Sequence, residues 1–187
     1  TITVDDVSDV PPVITSAGSA NAAENQTSAY TITATDADNS GPLVYSISGA
    51  DAALFSVDAN TGVVTFITAP NFEAPSDADS DGVYDITVSV TDGDLNDSEN
   101  VSITVTNVNE APTITSASAF NAAQNQTSAF TAAATDPESD TITYSLTGTD
   151  AALFNIDANT GEVTFITAPT VAAPADADGD NVYEVVV

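Results

Sequence analysis

Residues 21–30 read NAAENQTSAY, and residues 121–130 read NAAQNQTSAF. The echo extends outward from there. Asp51–Phe55 (DAALF) returns as Asp150–Phe154, and Phe66–Pro70 (FITAP) returns as Phe165–Pro169. Self-similarity at a fixed period is the signature of a repeat architecture, here with a period of about 100 residues. Thr1–Val4 (TITV) matches the end of the full repeat at Ile103–Val105 (ITV). The expected organisation is therefore a last strand and linker of a preceding repeat over 1–10, a complete repeat over 11–110, and a second repeat from 111 that breaks off within a strand at 187.

Within the complete repeat, short runs rich in Val and Thr are separated by Gly, Asn, Asp and Pro, which is strand-and-turn punctuation. Strands are expected near Val13–Thr15 and at Ala29–Thr35, Leu43–Ser48, Phe55–Val57, Val63–Thr68, Val83–Thr91 and Val101–Thr106. Ile86, Val88 and Val90 share one face by period-two alternation, as do Val101, Ile103 and Val105. Seven strands and no helical period predict an all-β fold of tandem seven-strand Greek-key β-sandwich repeats, arranged end to end.

The charge pattern narrows function. The chain has 28 Asp and Glu and no Lys, Arg or His, a formal charge of -28. Nothing can neutralise phosphates, so nucleic acid is excluded as a partner, and an anionic membrane surface would repel the chain. No run of about 18 apolar residues predicts membrane insertion in this segment, and without Cys no disulfide staples it. Ser–His catalysis is impossible without His. A glycosidase or carbohydrate-binding module, the least favoured reading, would need a carboxylate pair or an aromatic platform, and the five Tyr are scattered over strand-like positions. No side chain can form a salt bridge with a carboxylate. Two carboxylates ~5 Å apart repel by roughly 3 kcal/mol at an effective dielectric of about 20, so clustered acids call for a cation from solution.

Strand order says where the acids cluster. Successive strands of such a sandwich run alternately down and up. The loops after the first, third and fifth strands then share one end with the exit of the seventh. Glu24, Asn71, Glu73, Asn107, Asn109 and Glu110 fall at that end of the full repeat. Asp136 and Glu138 fall at the opposite end of the next repeat, and all eight are expected to converge on one junction. The preceding junction offers Asp6, Asp9, Asp36, Asp38 and Asp92. Oxygen-only ligands in this number suit Ca2+, whereas zinc would want His or Cys. The bland alternative is a set of solvated acidic loops. A second pattern, DxDxDGxxD, spans Asp77, Asp79, Asp81 and Asp85, with Gly82 allowing a sharp turn. Asp176, Asp178, Asp180 and Glu184 repeat it, with Asn181 at the Gly position, where Asn also tolerates left-handed geometry. Whether this loop holds its own ion or joins the junction set is left open by the sequence.

Several of these segments resemble cadherin repeats, in the divergent form of large bacterial surface proteins. Ala23-Glu24-Asn25 is similar to that family's glutamate motif, Thr35-Asp36-Ala37-Asp38 to its DxD motif, and Asp136-Pro137-Glu138 to an acidic variant of it. Phe55-Ser56-Val57-Asp58 with Thr61-Gly62 resembles the F-x-I-D-x-x-T-G segment, and Asn71-Phe72-Glu73 the LDxE motif. Thr91-Asp92-Gly93 and the linker Asn107-Val108-Asn109-Glu110-Ala111-Pro112, one residue short of DxNDNxP, complete the set. The resemblance implies calcium clamped between repeats, a stiff rod and adhesion. Asn71 and Asn107 stand where the motifs carry aspartate. Gln124 and Ala172 replace Glu24 and Glu73 in the second repeat, so the junction beyond it is expected to bind calcium more weakly.

The expected function is a calcium-stabilised structural or adhesive rod, extracellular, secreted or at the cell surface. Its partners would be neighbouring repeats of the same chain, with copies of itself or cell-surface and matrix ligands beyond them. The alternative is a filament subunit in which the strand at Thr1–Val4 completes another copy's last sandwich.

Overall fold

Val83–Thr91 organises the first half of the molecule. Its side chains alternate, with Tyr84, Ile86, Val88 and Val90 buried and the residues between them turned outward, the pattern of a strand covered on one face. The computed structural model describes residues 10–38 and 41–187. It divides into a unit ending at Val108 and a second unit from Asn109.

In the first unit the strands are β1 (Val13–Ile14), β2 (Ser19–Ala23), β3 (Ser28–Thr31), β4 (Ala34–Thr35), β5 (Val44–Ser48), β6 (Phe55–Val57), β7 (Val63–Phe66), β8 (Val83–Thr91) and β9 (Asn96–Thr106). One sheet has the order β2-β9-β8-β5 and the other β3-β7-β6, while β1 and β4 form a separate pair. Val64, Phe66, Phe55 and Ile32 pack against Tyr84, Ile86, Val88, Val101 and Ile103 in one core. Phe55 and Phe66 sit 4.5 Å apart by ring centroid, and Tyr84 meets both edge-on at 5.9 and 5.2 Å, an arrangement aromatic quadrupoles favour.

Three elements differ from the sequence expectation. The strand expected over Ala29–Thr35 is two strands, because the chain changes partners midway. β3 pairs with β7, whereas β4 pairs with β1. Between them Ile32 N–H donates to the Gly62 carbonyl (2.8 Å), and the Thr33 carbonyl accepts from Thr15 N–H (2.8 Å). The last strand begins at Asn96 rather than Val101. The polar run NDSEN reads as a loop, yet its backbone completes an unbroken ladder from Val83↔Thr104 to Thr91↔Asn96. The Ala-rich stretch Ser19–Ala23 is a strand that runs parallel to β9, in register from Ser19↔Ser102 to Ala23↔Thr106. Glu24 therefore follows directly on a strand.

The second unit contains β10 (Thr113–Ile114), β11 (Ser128–Thr131), β12 (Ala134–Thr135), β13 (Phe154–Ile156) and β14 (Glu162–Phe165). Its pairings, β10 with β12 and β11-β14-β13, reproduce those of β1 with β4 and β3-β7-β6. Even the irregularity between Ser28 and Tyr30 returns between Ser128 and Phe130. Phe154, Val163 and Phe165 form its core with Tyr183 packed against them. Thr147 and Val186 meet in a single antiparallel bridge. Each unit has one turn of 3-10 helix, at Ala52–Leu54 and Ala151–Leu153. Among the described residues no helix is long and apolar enough to cross a membrane.

Candidate metal sites

At the base of the first unit, Glu24 is 2% exposed, and both its oxygens are used. Oε2 accepts from Phe72 N–H and Oε1 from Val108 N–H, each at 2.8 Å. Glu24 N–H donates to the Thr106 carbonyl (3.1 Å), and the left-handed Asn25 donates its N–H to the Pro70 carbonyl (3.0 Å). One carboxylate thus ties the exit of β2 to the segment after β7 and to the exit of β9. Asn107 Nδ2 donates to Glu73 Oε1 (3.1 Å), whereas Asn71 Oδ1 accepts from Ala74 N–H (2.8 Å) as a local turn cap. The three segments that strand parity assigns to this end do meet there.

At the other end of the unit, Asp36 Oδ1 accepts weakly from Asp38 N–H (3.4 Å), and Asp38 Oδ2 accepts from Val10 N–H (2.6 Å). Asp92 Oδ1 accepts from Asp94 and Leu95 N–H (2.9 and 2.8 Å). Gly41 lies so close to the Asp92 carbonyl that a Cβ there would clash with it, which places the turn after β8 against the entry to β5. Asp6 and Asp9 lie outside the described residues.

In the second unit, Asp136 Oδ1 accepts from Asp140 N–H (3.0 Å), and Glu138 Oε2 accepts from Glu110 N–H (3.2 Å). Asn109 Nδ2 donates to the Glu110 carbonyl (3.3 Å).

The test of these residues as cation ligands is which buried atoms lack a donor. Among the described residues five buried side-chain oxygens have no hydrogen-bond partner, and four belong to carboxylates: Asp36 Oδ2, Asp92 Oδ2, Glu138 Oε1 and Asp176 Oδ1. The fifth is Ser16 Oγ. Buried polar atoms are normally satisfied, and this chain has no cationic side chain to do it. Oxygen ligands without internal donors fit a hard cation such as calcium.

The acidic loops form a separate arrangement within each unit. One oxygen each from Asp77, Asp79 and Asp81 lie within 4.8 Å of one another, and so do oxygens of Asp176, Asp178 and Asp180. Asp77 Oδ2 and Oδ1 accept from Asp81 N–H (2.9 Å) and Gly82 N–H (3.2 Å), and Asp81 Oδ1 accepts from Val83 N–H (2.8 Å). Ser80 and Gly82 take left-handed φ in the first loop, Gly179 and Asn181 in the second, so Asn181 adopts the geometry expected of it. Burial works against ionisation of Asp77, but the donors from Asp81, Asp79 and Gly82 outweigh it and hold its carboxyl below the usual range. Asp79 is pushed up by the carboxylate of Asp77 beside it and by the charge of Asp81. Asp178 is pushed up by burial and then by Asp176, and Glu184 by burial and the surrounding aspartates.

Asp85 does not join the first triad. It lies on β8, where its Oδ1 accepts from Ser102 Oγ (2.6 Å). Glu184 likewise stands outside the second triad.

The residues that position both loops were not singled out from sequence. Asp51, 4% exposed, accepts from Ala78 N–H through Oδ1 (2.8 Å) and from Asp85 N–H through Oδ2 (2.7 Å). Asp150, 2% exposed, does the same for Ala177 (2.9 Å) and Glu184 (2.8 Å). The signal was present in the recurrence of DAALF in step with the acidic loop.

A family model described as the cadherin domain matches residues 18–108. Over that span the chain is similar to a cadherin domain. The matched span runs from the start of β2 past the exit of β9 and includes Glu24, Asp36, Glu73 and Asp92. Cadherin domains are extracellular adhesion modules rather than enzymes, and they typically bind calcium. Among solved structures, the EC1-2 segment of human protocadherin-24 is 24% identical with a TM-score of 0.55, over 87% of this chain and 80% of that one. Drosophila N-cadherin EC1-4 is 21% identical with a TM-score of 0.53, over 95% of this chain and 45% of that one. At these identities the likeness is one of fold. No relative was found among curated proteins.

Proposed function

We propose that the chain is a calcium-stiffened segment of an extracellular adhesive rod, built from successive cadherin-type modules over 11–110 and from 111 onward. The shared pairings, the shared irregularity before Tyr30 and Phe130, and the paired braces Asp51 and Asp150 support reading the second unit as a further copy of the first. Calcium is clamped where modules adjoin. Asp36, Asp38 and Asp92, with Asp6 and Asp9, serve one junction; Glu24, Asn71, Glu73, Asn107, Asn109, Glu110, Asp136 and Glu138 serve the next. The partner of each module is first of all its neighbour along the chain.

The observation that carries this reading is the set of buried, donorless oxygens on Asp36, Asp92 and Glu138, at chain ends of modules that contain no cation of their own. Calcium at a junction gives those oxygens a partner and removes the slack between modules, so stiffness becomes calcium-dependent. Small-angle scattering of this chain in millimolar calcium and in chelator tests it. A shorter or broader distribution of maximum dimension in chelator is expected, and identical profiles would sink the proposal.

A further inference from the structure

Each unit also carries a carboxylate loop that belongs to one module alone. We propose that the loop Asp176–Glu184 binds a calcium ion of its own through Asp176, Asp178 and Asp180. This goes beyond the junction reading and does not depend on it.

Distance comes first. Calcium–oxygen bonds are about 2.3–2.6 Å, so two ligands of one ion can stand up to roughly 5 Å apart. The three carboxylates of each triad meet that limit at 4.8 Å. Second, Asp176 is 7% exposed, and its two oxygens are treated unequally. Oδ2 accepts from both Asp180 N–H (2.7 Å) and Asn181 N–H (3.3 Å), leaving Oδ1 buried with no donor. If hydrogen bonds alone were the reason for this loop, the two N–H groups would be shared between both oxygens, as they are at Asp77. A buried acceptor left unmatched, beside two further carboxylates, is the state a cation completes. Asp178 takes one long backbone contact, from Asp180 N–H (3.4 Å), and otherwise faces Asp176 inside the triad, so its carboxylate is little committed outside it.

The loop is also fixed before any ion arrives. Asp150 clamps Ala177 N–H and Glu184 N–H, and Asp51 clamps Ala78 and Asp85. A preformed loop loses little entropy on binding. The ion would therefore lock the segment at Tyr183 onto the turn that carries DAALF. That stabilises a module from within and leaves the angle between modules alone.

The test is calcium stoichiometry of the whole chain by equilibrium dialysis, with Asp178→Asn beside Glu138→Gln. Asp178→Asn is expected to lose one ion, or to bind it at least tenfold more weakly. Glu138→Gln is expected to leave the loop ion in place. Unchanged stoichiometry and affinity in Asp178→Asn would overturn the proposal, whatever the scattering shows about the junction. Should a variant fold poorly, amide NMR of the unmodified chain decides. Calcium is expected to shift and protect the amides of Asp180 and Asn181, and their indifference to calcium would equally overturn it.

Discussion

Replacing Asp51 by Ala removes two acceptors at once and leaves the N–H groups of Ala78 and Asp85 without partners in a partly buried setting. An orphaned donor costs about 1–3 kcal/mol, so Asp51→Ala should destabilise the first unit by ~2–3 kcal/mol in urea denaturation. Asp51→Asn, which keeps one acceptor, should cost less. Equal stability of Asp51→Ala and the parent would show that the brace is idle. Asp58 behaves differently because it is exposed. Its Oδ1 accepts from Asn60 N–H (2.9 Å) and Thr61 N–H (3.1 Å), and these donors hold its carboxyl below the ordinary value. Asp157 is lowered in the same way, by Thr160 and then Asn159. A carboxyl lowered by folding binds fewer protons in the native than in the unfolded state. Its contribution is complete above the unfolded pKa and disappears as pH falls through the folded one. The double variant Asp58→Asn, Asp157→Asn should therefore lose less stability than the parent between about pH 5 and pH 2. Parallel pH profiles would contradict this.

Gly62 shows how an element boundary is set by backbone rather than by side-chain pattern. It has φ of 72°, and a Cβ would collide with the Ile32 carbonyl, where the chain passes from β3 to β4. Gly161 stands in the same relation to Ala132, with φ of 71°. A left-handed non-glycine residue costs roughly 1–2 kcal/mol, and the collision adds to it. Gly62→Ala should cost ~2–4 kcal/mol by chemical denaturation, and Gly161→Ala a similar amount in the second unit. A neutral effect would mean that the crossing relaxes freely. The same contrast explains what the sequence made legible. β8 could be placed because Tyr84, Ile86, Val88 and Val90 alternate against a core. The first half of β9 could not, since Asn96–Asn100 pair through their backbone and carry no apolar stripe. β2 was hidden for a related reason: its Ala-rich side chains give little β signal, and its parallel pairing with β9 depends on a partner far along the chain.

Over the whole molecule, 28 acids without one basic side chain set the ground rules for stability. The sequence could assign Glu24 and Glu73 to one end by strand parity, because loop location follows from chain direction. It could not show that Glu24 is fully occupied by Phe72 and Val108 while Asp36, Asp92, Glu138 and Asp176 keep a donorless oxygen. That division depends on the placement of single N–H groups. It also separates two effects of added ions. Monovalent salt only screens, shrinking the Debye length from about 30 Å at 0.01 M to about 3 Å at 1 M, and so relieves the diffuse self-repulsion of a compact polyanion. Bound calcium adds to stability through its affinity, by about 2.7 kcal/mol per site at a hundredfold excess over its Kd. In chelator, the thermal midpoint should climb steadily with NaCl. At low NaCl, a few millimolar CaCl2 should raise it far more than NaCl of the same ionic strength, and further NaCl should then add little. If the two salts acted alike at matched ionic strength, the acidic groups would be solvated surface and the donorless oxygens would not be metal ligands.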